Sequence, residues 1–318
     1  MTLTKCKFTR FKYKLIAPIP IYNKTITTRE GFYITLLKNN FPIGYGEICP
    51  LPGLSKETIT DVAKAIKSLS NITFNTEEPI FTQLKKFSVF STLPSVQFGI
   101  ESACLMALDT LHQRTIPSHY FIQDLKTTET LWKNNAYVKC KLGKNPLKIE
   151  LTNILNLIKQ VPTIKFRFDA NQRLTMRDAI NFFKQIPLNN IDYIEDPCNL
   201  NDIELFQKET NLPIAIDTPP LTQTIKCPIK ALVIKPTLCG GVSNIQELKA
   251  RFSPQKTIFS SCYESPIGIA SLVRLASLLN PSYVHGLNTL PVFDISPRFT
   301  QKQHFSSFQP SQCEPWLQ

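Results

Sequence analysis

Glycine is scarce in this sequence, ten of 318 residues, about half the roughly 7% of an average globular protein. That scarcity excludes collagen-like and glycine-rich linker chains, and a hydrophobic content of 42% excludes a disordered one. No Cys-x-x-Cys pair occurs among the nine cysteines, and only four histidines could complete a zinc site. Neither a disulfide framework nor a structural zinc is expected. No apolar run approaches the about 18 residues of a membrane span, and the opening Met-Thr-Leu-Thr-Lys-Cys-Lys has no apolar signal core. The expectation is a cytoplasmic protein that engages no membrane.

Dense basic runs are absent as well, although 36 Lys and Arg against 24 Asp and Glu leave a formal charge of +12. The densest stretch, Lys5 to Lys14, alternates basic with apolar residues, as a half-exposed strand does. Charge alone would suit nucleic acid, an anionic surface, a small polyanion or plain solubility.

What is present is periodicity. Residues 5–17, 32–38 and a segment from Pro42 read as strands, with a turn at Asn39-Asn40 that makes neighbours antiparallel. Ser55 is placed to cap a helix carrying Ile59, Val62, Ala63, Ile66 and Leu69. A second helix, after Pro94, is apolar nearly all round through Leu111. These elements make an α+β domain over residues 1–115.

From there strands and helices alternate to the end of the chain. Strands are expected at 136–142, 163–169, 191–195, 213–217, 231–235, 256–260 and 283–287. Intervening helices are to be capped by Asn145 before Pro146, by a Thr175/Asp178 box and by a Ser243/Gln246 box. Repeated βα units over 116–318 predict a modified TIM-type (β/α)7β barrel, an α/β fold, with a C-terminal tail returning to the first domain.

The strand ends carry the chemistry. Lys139 and Lys141 end the first of them, Asp169 the second, Glu195 with Asp196 the third, Asp217 the fourth and Lys235 the fifth. Any one of these carboxylates could be an ordinary turn or N-cap residue. Together, at C-terminal ends of successive barrel strands, they converge on one mouth. Three carboxylates there repel unless a cation holds them, and an all-oxygen set suits Mg2+, with Mn2+ a substitute. Lysines flanking such a cation are machinery for removing a proton α to a carboxylate.

The runs Lys139-Cys140-Lys141, Phe168-Asp169-Ala170-Asn171, Glu195-Asp196-Pro197-Cys198, Ile216-Asp217 and Val233-Ile234-Lys235-Pro236-Thr237 resemble the enolase superfamily in its muconate-lactonizing subgroup. In the first domain Thr28-Arg29-Glu30-Gly31, the run from Gly46 to Gly53 and the run from Pro94 to Gly99 narrow the resemblance to the o-succinylbenzoate synthase family. Ser260 to Ser265 and Gly286 to Leu290 extend it towards the end of the chain.

The resemblance implies Asp169, Glu195 and Asp217 as Mg2+ ligands, Lys141 as the general base and Lys235 as an electrostatic partner on the opposite side. It implies dehydration of a small dicarboxylate, 2-succinyl-6-hydroxy-2,4-cyclohexadiene-1-carboxylate, to 2-succinylbenzoate. Lys139 is to hold the substrate carboxylate or depress the pKa of its neighbour Lys141, and Arg167, Asn171, Ser260, Arg29, Gly240 and Gly241 are further expected substrate contacts, with Arg167 meeting the succinyl carboxylate. N-succinylamino-acid racemase or dipeptide epimerase chemistry uses the same two lysines and stays open, as does a basic binding protein without catalysis. Two departures from the family pattern stand out: Thr218-Pro219-Pro220 where a Glu usually follows Asp217, and Gln172 where an Arg is common. Nothing in the sequence sets the oligomeric state.

Overall fold

The computed structural model describes residues 2–69, 71–74, 78–79, 82, 93–108, 115–122, 125, 137–217, 224–294 and 304–306. Leu111, Thr218 to Pro220 and most of the C-terminal tail lie outside the described residues. Strands β1 (Thr2–Ile21), β2 (Lys24–Lys38), β3 (Phe41–Ile48) and β4 (Asn71–Phe74) form an antiparallel sheet in the order β3-β2-β1-β4. Asn39 and Asn40 both adopt left-handed backbone, φ 51° and 65°, as a two-residue hairpin requires. β1 runs further than its sequence pattern suggested, because its register with β2 breaks between Lys14 and Ile19 and resumes beyond Pro18.

Helix α1 (Ile59–Ile66) is capped by Thr58, whose hydroxyl accepts from the Asp61 amide, and not by Ser55. The Ser55 hydroxyl accepts from Leu51 N at 2.8 Å and closes the preceding turn. Helix α2 (Pro94–Leu108) is buried from Ser95 through Met106, as its all-round apolar surface predicted. β3 presses on it backbone to backbone, and a Cβ on Gly46 would collide with the Gly99 carbonyl.

The second part is a seven-stranded parallel sheet of β6 (Tyr120–Ile122), β7 (Tyr137–Lys141), β8 (Lys165–Asp169), β9 (Ile191–Glu195), β10 (Ile214–Asp217), β11 (Ala231–Ile234) and β12 (Lys256–Phe259), paired in chain order. The segment expected as a last strand makes one parallel bridge to each edge, His285 to Ser118 and Gly286 to Ser260, and so curls the sheet into a barrel. β6 went unseen in the sequence because three residues are too few to show a period. So did β5 (Thr115–Pro117), which pairs with β13 (His304–Ser306). The outer layer is α3 (Leu147–Gln160), α4 (Met176–Phe183), α5 (Ile203–Thr210), the short α6 (Pro236–Cys239), α7 (Gly241–Phe252) and α8 (Pro266–Leu279). Among the described residues no helix is long and apolar enough to cross a membrane.

Two expected caps are replaced by carboxylates, one from the same helix and one from far along the chain. At α3, Asn145 contributes no side-chain cap; Glu150 turns back and accepts from the amides of Gly143, Lys144 and Asn145 at 2.9 Å each. α7 begins at Gly241, ahead of the predicted Ser243 box, and its Val242 amide donates to Glu101 of α2. Thr175 does cap α4, accepting from Asp178 N at 3.1 Å.

The first domain also holds the start of α8. Glu47, 2% exposed at the end of β3, accepts from Ser265 N at 3.1 Å, from Gly268 N at 3.0 Å and from the Ser265 hydroxyl. Burial pushes the Glu47 carboxyl up to about 7, against the hydrogen bonds from Ser265. The folded state therefore keeps this proton longer than the unfolded chain does, and the contribution is lost as pH rises from 4.5 through about 7. Urea titrations across that window are expected to give a flatter stability profile for Glu47→Gln than for the wild type; parallel profiles would contradict the assignment.

Candidate active site

Strand alternation places Lys139 and Lys141 on one face of β7 and buries the intervening Cys140 on the other, in the core with Ile154 and Leu157 of α3. Register then aligns Lys141 with Asp169, and Asp169 with Glu195, across three neighbouring strands. Asp217 ends β10, and Lys235 follows β11 directly as the N-cap of α6. The predicted row of charges therefore converges on the C-terminal mouth of the barrel.

The charges are already paired. Lys139 Nζ lies 2.8 Å from both oxygens of Glu195 and 2.9 Å from Asp169 Oδ2. Burial opposes the Lys139 charge, but Asp169 and Glu195 outweigh it and hold the ammonium well above its ordinary value. Lys139 thus bridges the two carboxylates, and its charge adds to the lowering of its neighbour Lys141, one of the two roles expected of it. Lys235 Nζ pairs with Asp217 Oδ2. Burial works against that ammonium too, yet Asp217 and Glu195 raise it above the usual lysine value. Glu195 is pushed up to about 8 by burial and by Asp169, with Lys139 opposing.

Lys141 differs from its neighbours. It is half-buried, and its side chain has no hydrogen-bond or ion-pair partner among the described residues. Burial lowers its ammonium below the ordinary lysine value, and Lys139 and Lys235 add to the lowering against Asp169. Among the lysines described at the mouth, it is the one whose side chain is left free to act on a ligand.

Four expected substrate contacts have other work. Arg167 is 1% exposed below the mouth, where Nε donates to Asp192 Oδ2 at 2.8 Å and a terminal nitrogen donates to Val284 O at 2.7 Å. Its guanidinium lies between the rings of Tyr137 and Tyr193, 4.9 and 5.0 Å from their centroids. Arg29 is wholly buried and donates to the carbonyls of Tyr263, Pro50 and Cys49, stapling a barrel loop to the first domain. Gly240 and Gly241 pack against Gln97 and Glu101 of α2. They serve a tight turn, not a ligand.

Asn171 donates its side-chain amide to Asp169 Oδ1 and so orients that carboxylate. Ser260 stands just past β12, half-buried at the mouth, where the sequence placed it. Asp196, which the sequence placed at the strand end without a role, belongs to the site as well. It sits in left-handed backbone at φ 44°, accepts from Asp217 N, and is raised to about 7 by burial and then by Asp217. Its neighbour Glu195 was the signal.

Among the described residues no three carboxylate, imidazole or thiolate side chains close on one point. The donor set nonetheless fits a hard divalent cation. Asp169, Glu195 and Asp217 are all oxygen donors, and the ammoniums seated among them show that these carboxylates gather around positive charge.

Residues 3–107 match the family model "MenC, N-terminal domain", and residues 127–284 match "Enolase C-terminal domain-like". An o-succinylbenzoate synthase of Escherichia coli is 29% identical over 298 residues, covering 88% of this chain and 89% of the relative. In fold the chain is similar to an o-succinylbenzoate synthase from Thermosynechococcus elongatus complexed with Mg in the active site, with TM-score 0.72, 20% identity, and coverage of 92% and 95%. It is similar as well to a dipeptide epimerase from Enterococcus faecalis complexed with Mg and the dipeptide L-Leu-L-Tyr, with TM-score 0.74, 18% identity, and 93% of each chain covered.

Proposed function

We infer, since this chain belongs to the enolase superfamily by its MenC N-terminal domain and its enolase C-terminal domain-like barrel, that it is an enzyme of the o-succinylbenzoate synthase kind. The reaction is dehydration of 2-succinyl-6-hydroxy-2,4-cyclohexadiene-1-carboxylate to 2-succinylbenzoate, a step of menaquinone biosynthesis. The observation that carries this reading is the mouth itself: one unpaired lysine, Lys141, beside three carboxylates, with a second lysine, Lys235, among them.

Lys141, as the neutral amine, takes the proton from the ring carbon that bears the carboxylate. The same nitrogen then returns a proton to the departing hydroxyl on that face, the C–O bond breaks and water leaves. The ring becomes aromatic, so the enzyme has chiefly to stabilise negative charge gathering on the carboxylate oxygens. Lys235 Nζ contributes to that as a fixed ammonium, worth most in a water-poor site. Lys139 stays with Asp169 and Glu195, Asn171 orients Asp169, and Ser260 lines the mouth. Asp169, Glu195 and Asp217 would hold Mg2+, which when bound supplies Lewis-acid stabilisation of the substrate carboxylate.

Purified protein with Mg2+ is expected to convert the cyclohexadiene substrate, followed by loss of its ultraviolet absorbance. Millimolar Mg2+ should raise the melting temperature, since ligand at about a hundred times its Kd stabilises by about 2.7 kcal/mol. No thermal response to Mg2+ and no turnover would dismiss the reading. A second reading, racemisation of N-succinyl amino acids or dipeptides, is favoured by two lysines, Lys141 at the end of β7 and Lys235 directly after β11, standing at the same mouth. Isotope exchange at the α-carbon of such substrates without dehydration would select it.

A further inference from the structure

We propose that Glu101 of α2 is a positioning residue for Lys235, acting through the turn that follows β11. The proposal rests on the catalytic role given to Lys235 above. From Lys235 the chain is tightly folded: Leu238 N and Cys239 N donate to Lys235 O at 2.8 and 3.1 Å, and Gly240 N donates to Pro236 O at 2.9 Å. Gly240 and Gly241 then take left-handed backbone, φ 79° and 67°, and α7 starts. Asn244 fixes the same turn by donating to Cys239 O at 2.6 Å.

The free end of this turn is held from the other domain. Glu101, 2% exposed, accepts from Val242 N through one oxygen at 2.5 Å and from the Gln97 side-chain amide through the other at 2.9 Å. A Cβ on Gly241 would run into the Glu101 carboxyl, and one on Gly240 would stand 3.0 Å from Gln97 Oε1 and 3.1 Å from Pro94 Cα. The carboxylate therefore lies directly on the turn, in a space only glycine leaves open. It has no ion-pair partner among the described residues, so a carboxylate buried at some expense has the α7 start as its main counterpart. Burial raises it to about 7 in spite of the Val242 amide. Each link between Glu101 and the Lys235 backbone is a hydrogen bond or a fixed turn, so a displacement at Val242 is passed to Lys235. Displacements of about 1 Å at a catalytic group can cost about a hundredfold in rate.

Hydrogen exchange and steady-state kinetics on Glu101→Ala, Glu101→Gln, Gly241→Ala and Glu47→Ala test the proposal. Faster exchange confined to residues 236–242 is expected in Glu101→Ala and Gly241→Ala, while Glu47→Ala loosens 265–268 instead. In Glu101→Ala kcat should fall about tenfold or more with KM nearly unchanged, because Lys235 acts on the transition state. Glu101→Gln, which keeps an acceptor for Val242 N, should recover most of kcat. Unchanged exchange at 236–242, exchange raised evenly over both domains, or a Gln variant no better than Ala would overturn the proposal. If Glu101→Ala does not fold, the Gln and Gly241→Ala variants decide by the same signs. A wild type without dehydratase activity would fail the preceding reading alone, and the exchange at 236–242 would still decide whether Glu101 holds the turn.

Discussion

Alanine at position 141 is expected to abolish turnover and leave the fold standing. Lys141 is half-buried and unpaired among the described residues, so its truncation strands no buried charge and removes only part of a flexible stem from the mouth. In the proposed reaction the same nitrogen takes and returns the proton, so both halves of the dehydration lose their acid and base. A single positioned acid or base contributes roughly 10²- to 10⁴-fold, and a group used twice belongs at or above the upper end. We expect kcat/KM to fall by about 10⁴-fold or more, with circular dichroism and melting temperature nearly unchanged. Retention of a tenth of the activity would sink the assignment. Lys139→Ala should behave in the opposite manner: it leaves Asp169 and Glu195 facing each other without their shared ammonium, and stability falls first.

The second large effect belongs to Arg167, and it separates two views of that residue. A substrate-binding arginine would be removed at a cost in KM alone. The structure instead buries its pairing with Asp192 beneath the mouth, between two tyrosine rings. Breaking a buried ion pair from one side leaves a desolvated charge and costs about 3–5 kcal/mol. Lys256, 3.2 Å from the other Asp192 oxygen, offsets part of that loss. Arg167→Met should therefore lower the urea midpoint sharply, and the double variant Arg167→Met with Asp192→Leu should be less damaged than the single one. A raised KM with an unchanged midpoint would restore the substrate-binding role.

Asp192 also shows where reading the sequence stops. Alternation along β9 sets Glu195 and Tyr193 inward and so assigns Asp192 to the outer face. A bulge between the pairs Phe166/Ile191 and Arg167/Tyr193 adds one residue on β9, and the Asp192 carboxylate meets the inward-facing Arg167 and Lys256. No periodicity in a single strand reports a bulge, because it is decided by the neighbouring strand.

The same division runs through the whole molecule. Features that depend on near neighbours along the chain could be read from residue order: two-residue alternation, 3.6-residue helical faces, the Asn39-Asn40 turn, the Thr175 cap, and charges at the ends of successive strands. Those charges were legible as a site because parallel strands carry equal positions to one end of a barrel. Which cations neutralise which carboxylates, and which polar residues serve the join between domains, was set by long-range packing. Arg29 meets the Tyr263 carbonyl 234 residues away, Glu47 meets Ser265 at 218, and Glu101 meets Val242 at 141. Each is a buried donor or acceptor whose partner had to be supplied by folding, since an unmade hydrogen bond in the interior costs about 1–3 kcal/mol. Local pattern cannot name such partners, and the resemblance that offered Arg29, Arg167, Gly240 and Gly241 to a ligand did not show the buried contacts by which they hold the barrel and its cap together.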